Sequence, residues 1–143
     1  KSYYQGWPNC GEIDIMEHLN NDGFIYQTVH SHYTHVLGWK TDPPHSVRVP
    51  ADVGEFNVYG VEILPDRIVF SMNGNATMTY PRLSPDGFSS ESQYPFGSPF
   101  YILLDMQIGG SWVGPPDASD LPVEMHVDWI KVYTLDNINK NGQ

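Results

Sequence analysis

Polar and apolar side chains alternate with a period of two along much of the chain, predicting strands over residues 11–18, 24–33, 55–64, 67–72, 76–80 and 124–135. In the second of these, Phe24, Tyr26, Thr28, His30 and His32 share one face. In the last, Met125, Val127, Trp129, Lys131 and Tyr133 oppose His126, Asp128, Ile130 and Val132, and Trp129, like Trp39, reads as core. Residues 100–108 open with an apolar run that does not alternate, which predicts a strand covered on both faces. Turn residues punctuate the pattern: Asn20-Asn-Asp-Gly23, a loop with Pro43, Pro44 and Pro50, Pro65-Asp66, and Asn73-Gly-Asn75. The last is a strong hairpin signal, because Asn-Gly readily takes positive φ. The Pro/Ser/Gly-rich stretch 81–99 reads as a surface crossing, and residues 137–143 as a frayed tail. No stretch sustains a helical period, so the fold class is all-β, an antiparallel two-sheet sandwich or jelly roll.

One stretch breaks the alternation. Residues 12–17 read Glu-Ile-Asp-Ile-Met-Glu. Glu12 and Asp14 point one way and Ile13 and Ile15 the other, and strict alternation would bury Glu17 with the isoleucines. One extra residue, a β-bulge around Met16, returns Glu17 to the acidic face. The bulged span covers roughly 13 Å between Cα atoms. Two glutamates leaning together over it could bring their carboxyls within about 5–5.5 Å, the separation that retaining glycosidases use. The competing reading is a solvated acidic face on an edge strand. A calcium site is a poorer fit, since one strand lacks an encircling loop of oxygens.

Composition narrows the partners. The 143 residues carry 17 acidic and 7 basic side chains, a formal net charge of −10, which disfavours nucleic acid, anionic membrane surfaces and heavily sulfated polymers. A neutral ligand fits better. No apolar run is long enough for a membrane-spanning helix. Cys10 is the only cysteine, so no intrachain disulfide can form. One core can form in a chain of this length, yet Lys1-Ser-Tyr-Tyr-Gln-Gly-Trp7 reads like the middle of a domain.

The run Gly6-Trp-Pro-Asn-Cys-Gly-Glu-Ile-Asp-Ile-Met-Glu17 resembles glycoside hydrolase family 16. The likeness extends through residues 56–74, Gly109-Gly-Ser-Trp-Val-Gly114 and Val127-Asp-Trp-Ile-Lys-Val-Tyr133. It implies a concanavalin-like jelly roll with a concave sugar-binding sheet, of which residues 1–143 are the C-terminal half, the N-terminal half being a separate chain. It also implies a secreted, periplasmic or cell-surface enzyme that needs no cofactor for catalysis. The extra Met16 is similar to the bulged branch of the family, which includes laminarinases, agarases and endo-β-galactosidases. By this resemblance Glu12 is the nucleophile, Glu17 the general acid/base and Asp14 the carboxylate between them. Such a pair needs environments that push the two glutamate pKa values apart, and Asp14 is placed to help keep Glu17 protonated.

Further site residues follow. The family often has a histidine at the position of His30, near the acid/base, and His32 shares its predicted face. Trp7 and Trp112 are candidate platforms for the flat C–H faces of sugars. Gln107 shares a face with Asp105 and could hydrogen-bond a sugar hydroxyl. Asp128 matches a position where family members hold a structural calcium. The segments Tyr26-Gln-Thr-Val-His-Ser-His-Tyr33 and Asp105-Met-Gln-Ile108 depart from the common laminarinase pattern, with bulky polar side chains that would reshape the subsites. The substrate expected is an oligo- or polysaccharide: a mucin-type or keratan-like chain cut by an endo-β-1,4-galactosidase, with a laminarinase-like endo-β-1,3(4)-glucanase as runner-up. A non-catalytic glycan-binding module would keep the aromatic platforms without needing paired glutamates.

Overall fold

Asn73 and Gly74 take φ of +51° and +81°, the paired positive values of a primed turn, and so join two strands in a tight hairpin. In this computed structural model, which describes residues 6–83 and 90–135, that hairpin is one of three that join consecutive strands of the sheets. The elements are β1 (Glu12–Glu17), β2 (Phe24–His30), α1 (His32–His35), β3 (Ser46–Pro50), β4 (Tyr59–Ile63), β5 (Arg67–Met72), β6 (Asn75–Pro81) and α2 (Ser90–Gln93), with a 3₁₀ turn at Ala118–Asp120. They form two antiparallel sheets, β1-β2-β3 and β4-β5-β6. No helix among the described residues is long and apolar enough to cross a membrane.

Residues 1–102 and 103–143 form separate units. In the first, Val29 of β2 packs with Ile68 and Phe70 of β5, Met78 and Tyr80 of β6, and Tyr94 and Phe96. Ile13, Val47, Val61 and Ile63 flank this cluster, so it joins the inner faces of both sheets. Truncating a side chain as buried as Phe70 to alanine costs about 3–5 kcal/mol.

Part of the stretch expected to cross the surface is core. Tyr94 and Phe96 are buried, and the Tyr94 hydroxyl donates to the Leu64 carbonyl at 2.7 Å. Gln93, also buried, donates to the Pro81 carbonyl and accepts from the Leu83 amide, each at 3.0 Å. Pro95 is buried with its neighbours Tyr94 and Phe96, so the turn-forming composition of the stretch masks an anchor that fills the interior. A strand the prolines hid, β3, pairs along β2 from Phe24↔Pro50 to Thr28↔Ser46, with Pro50 at its end, where a missing N–H is tolerated.

The second unit departs further from expectation. Residues 100–108 and 124–135 form no paired strand among the described residues. Leu103, Ile108, Val132 and Tyr133 are exposed, and Trp129, expected in the core, is half-exposed beneath Lys131. Alternation shows which face a strand would bury, but the ladder needs a neighbour, and none is present among these residues. Trp39, in the first unit, is also half-exposed and stacks on Tyr33 rather than filling the core. The tail from residue 137 lies outside the described residues.

Candidate active site

The bulge expected near Met16 is present. β1 pairs with β2 through Glu12↔His30, Ile13↔Val29 and Asp14↔Thr28, then resumes at Glu17↔Tyr26 with one residue extra on β1. Directly opposed residues share a face. Glu12, Asp14 and Glu17 therefore project from the same side as His30, Thr28 and Tyr26, and Ile13 and Val29 turn inward.

A bulge leaves part of its backbone unpaired, and an inward side chain answers for it here. Gln27, fully buried on β2, donates from Nε2 to the Ile15 carbonyl at 3.0 Å and to the Ser71 carbonyl of β5 at 3.2 Å. Its Oε1 accepts from the Thr77 hydroxyl of β6. Gln27 thus ties the bulged segment to the opposite sheet. It points away from the acidic face and is no part of the cleft. Its inward parity with Ile25 and Val29 was the available signal.

The acidic face has an uneven electrostatic landscape. His30 Nε2 lies 3.2 Å from Asp14 Oδ2, close enough for an ion pair, although that buried oxygen receives no well-aligned hydrogen bond. Contact with Asp14 raises the His30 pKa against the opposing effect of burial, and the charges of Glu12 and Glu17 add to the rise. Glu17 is pushed up to about 7, first by burial, then by the Asp14 charge and more weakly by Glu12, while His30 pulls the other way. A carboxyl at that value can donate and accept a proton near neutral pH.

Trp7 is at the site in a role that sequence reading missed. Its indole N–H donates to Glu12 Oε2 at 2.6 Å. The ring also meets His35 edge-on, with centroids 4.3 Å apart. His32 is not on the strand face. β2 ends at His30, and Ser31 caps the single turn of α1 through a capping box with Thr34. There His32 Nδ1 donates to Asn9 Oδ1 at 2.8 Å, fastening the loop that carries Trp7. A two-residue period cannot foresee this, because the chain leaves the strand just where the capping serine appears.

The remaining candidates lie in the second unit. Gln107 donates to Asp105 at 2.8 Å, and Trp112 is largely exposed in the turn after Gly109 and Gly110. Asp128 is exposed, and no group of three His, Cys, Asp or Glu able to hold a metal occurs among the described residues. The residues described therefore do not by themselves form the calcium site that the resemblance implies at Asp128.

Fold and site together define an antiparallel β-sandwich with a bulged, carboxylate-bearing strand on an open sheet face. No protein-family model matches the chain. It is 38% identical over 133 residues to a keratan-sulfate endo-1,4-beta-galactosidase of Sphingobacterium multivorum, covering 92% of this chain and 30% of that protein. It is 35% identical over 133 residues to a beta-glucanase of Rhodothermus marinus, covering 89% and 46% respectively. Among solved structures, the laminarinase from Flavobacterium sp. UMI-01 superposes with a TM-score of 0.64 at 28% identity, over 78% of this chain and 46% of that one. SCLam, a non-specific endo-beta-1,3(4)-glucanase from family GH16, does so with a TM-score of 0.53 at 32% identity, over 65% and 34%. The chain belongs to glycoside hydrolase family 16. It spans less than half the length of each of these proteins.

Proposed function

We propose that this chain carries the catalytic carboxylates of a retaining, endo-acting β-glycoside hydrolase. The observation that carries the reading is the bulge that sets Glu12, Asp14 and Glu17 on one face, with Glu17 pushed up to about 7. A Glu12 oxygen attacks the anomeric carbon and forms a glycosyl ester as the glycosidic C–O bond breaks. Glu17 gives its proton to the departing oxygen. It then takes a proton from water, whose oxygen attacks the same carbon and releases Glu12 with configuration retained. Asp14 holds His30 and keeps Glu17 protonated. The Trp7 N–H fixes the oxygen of Glu12 that it contacts, leaving the other to attack.

The substrate reading is an endo-β-1,4-galactosidase acting on mucin-type or keratan-like chains, supported by the 38% match to a galactosidase. An endo-β-1,3(4)-glucanase is supported as well by the glucanase and laminarinase matches. The exposed apolar segments 100–108 and 124–135 support partner strands from outside residues 1–143, supplied by the N-terminal half of the same domain. Action outside the cytoplasm follows from so large a substrate. A structural calcium at Asp128 requires ligands from that other half.

The test is Glu12→Gln in the full natural chain. Turnover should fall at least a thousandfold, on the order expected for a lost nucleophile, with glycan binding retained. Undiminished hydrolysis would refute the role of Glu12, and binding without hydrolysis in the wild type would indicate a lectin. Oligosaccharide release from laminarin, mixed-linkage glucan, agarose, keratan or mucin separates the two substrate readings.

A further inference from the structure

The carboxylate face continues past Glu17 onto β3. Tyr26 lies across from Glu17 on one side and from Arg48 on the other, so the three form one row across the sheet. At about 4.8 Å between strands, the Cα of Arg48 stands roughly 10 Å from that of Glu17, the reach of one or two sugar rings. The Arg48 guanidinium carbon sits 5.1 Å from the centroid of Phe24 and 5.2 Å from that of Tyr26. Those two rings meet edge-on at 5.3 Å. Aromatic faces attract and steady a guanidinium, while its N–H donors, lying in its own plane, stay available at the edges.

Charge makes the placement informative. The chain has 17 acidic side chains against 7 basic ones, yet the ion pairs among its described residues are His30–Asp14, Arg67–Asp66 and His126–Glu124. None of them uses Arg48. A basic group held on rings beside the proposed acid/base, with no acid paired to it among the described residues, suits an anionic group brought by a ligand.

We propose that Arg48, braced by Phe24 and Tyr26, forms a subsite for one anionic substituent, a sulfate ester or a carboxylate, on a sugar near the cleaved bond. The proposal rests on the glycosidase reading and deepens its substrate class. The chain's net charge of −10 repels a densely charged polymer, whereas one pre-positioned guanidinium fork matches one anionic group.

The experiment measures binding by calorimetry in the full natural chain carrying Glu12→Gln, with Arg48, Arg48→Gln or Arg48→Lys. Ligands are keratan oligosaccharides with and without sulfate, and mucin-type oligosaccharides with and without sialic acid. With Arg48 present, one anionic form should bind about tenfold tighter than its neutral counterpart. Whichever pair shows the difference identifies the substituent. Arg48→Gln should bring that ratio close to one, and Arg48→Lys should keep part of it, retaining charge without the fork. A ratio unchanged by Arg48→Gln, or no ratio with Arg48 present, overturns the subsite and leaves the glycosidase reading standing. Binding of none of the four ligands overturns the subsite together with the galactosidase reading of the substrate.

Discussion

Asp14 acts on both titrating neighbours in the site, so Asp14→Asn gives the most informative test of its electrostatics. Glu17 stands at about 7 against an ordinary 4.5, a gap of about 2.5 pH units. Burial supplies the largest part of that rise and survives the substitution. The Asp14 charge supplies the next part and is lost. His30 opposes the rise, and its own pKa is held up first by Asp14, so in the variant His30 loses its proton more readily and some of its downward pull. The Asp14 effect on Glu17 exceeds that of His30, so the net movement is downward, by roughly one pH unit or about 1.4 kcal/mol of protonation free energy. Glu17 must be protonated to serve the leaving group, so the basic limb of kcat/KM against pH reports its loss of a proton. That limb should move from near 7 to about 6, measured by reducing-end release from the cleaved glycan. A basic limb that stays in place or moves up would refute the account of how Glu17 is tuned.

Other expectations follow from the same geometry. Trp7→Phe keeps the ring but removes the N–H bound to Glu12; a hydrogen bond to a charged group is worth about 1.5–3 kcal/mol, so kcat/KM should fall roughly 10- to 150-fold, and a loss under twofold would contradict the tether. Gln27→Met leaves the Ile15 and Ser71 carbonyls without their donor, so urea unfolding should show a loss of about 1–3 kcal/mol together with reduced kcat. For Glu17, the folded pKa lies above the unfolded one, so between 4.5 and about 7 the folded state holds the extra proton and stability falls as pH rises. Glu17→Gln should therefore raise Tm more at pH 8 than at pH 5, with a gain at pH 8 on the order of 1 kcal/mol once solvent screening is allowed for. Gly11 has φ of +78°, and a Cβ there would lie 2.8 Å from Pro95 and 2.9 Å from Phe96; Gly11→Ala should cost about 1–3 kcal/mol in chemical denaturation.

The bulge was legible because Glu17 breaks a strict alternation that would otherwise bury a charge, an error too costly for a fold to make. The hairpin at Asn73 was legible from local backbone preference alone. His32 was misplaced because a strand period carries no mark of where the strand ends; Ser31, as a capping residue, was the available sign. Trp7 was recognised as a site residue through its surface, but the hydrogen bond of its N–H to Glu12 depends on a loop path that α1 secures from elsewhere in the chain. Gln27 lies inside because its parity opposes that of Tyr26, Thr28 and His30, but the carbonyls it meets there were not legible in the sequence.

Residue order alone determined the all-β class, the acidic row with its one-residue irregularity, and the family, because periodicity, turn chemistry and motif are local properties that neighbours along the chain fully specify. Tertiary structure decided which groups those local elements meet. It buried Glu17 beside Asp14, brought the Trp7 N–H to Glu12, set Gln27 beneath the bulge and laid Arg48 over two rings. Each depends on desolvation or on contact between strands and loops, and neither quantity exists until the chain has folded.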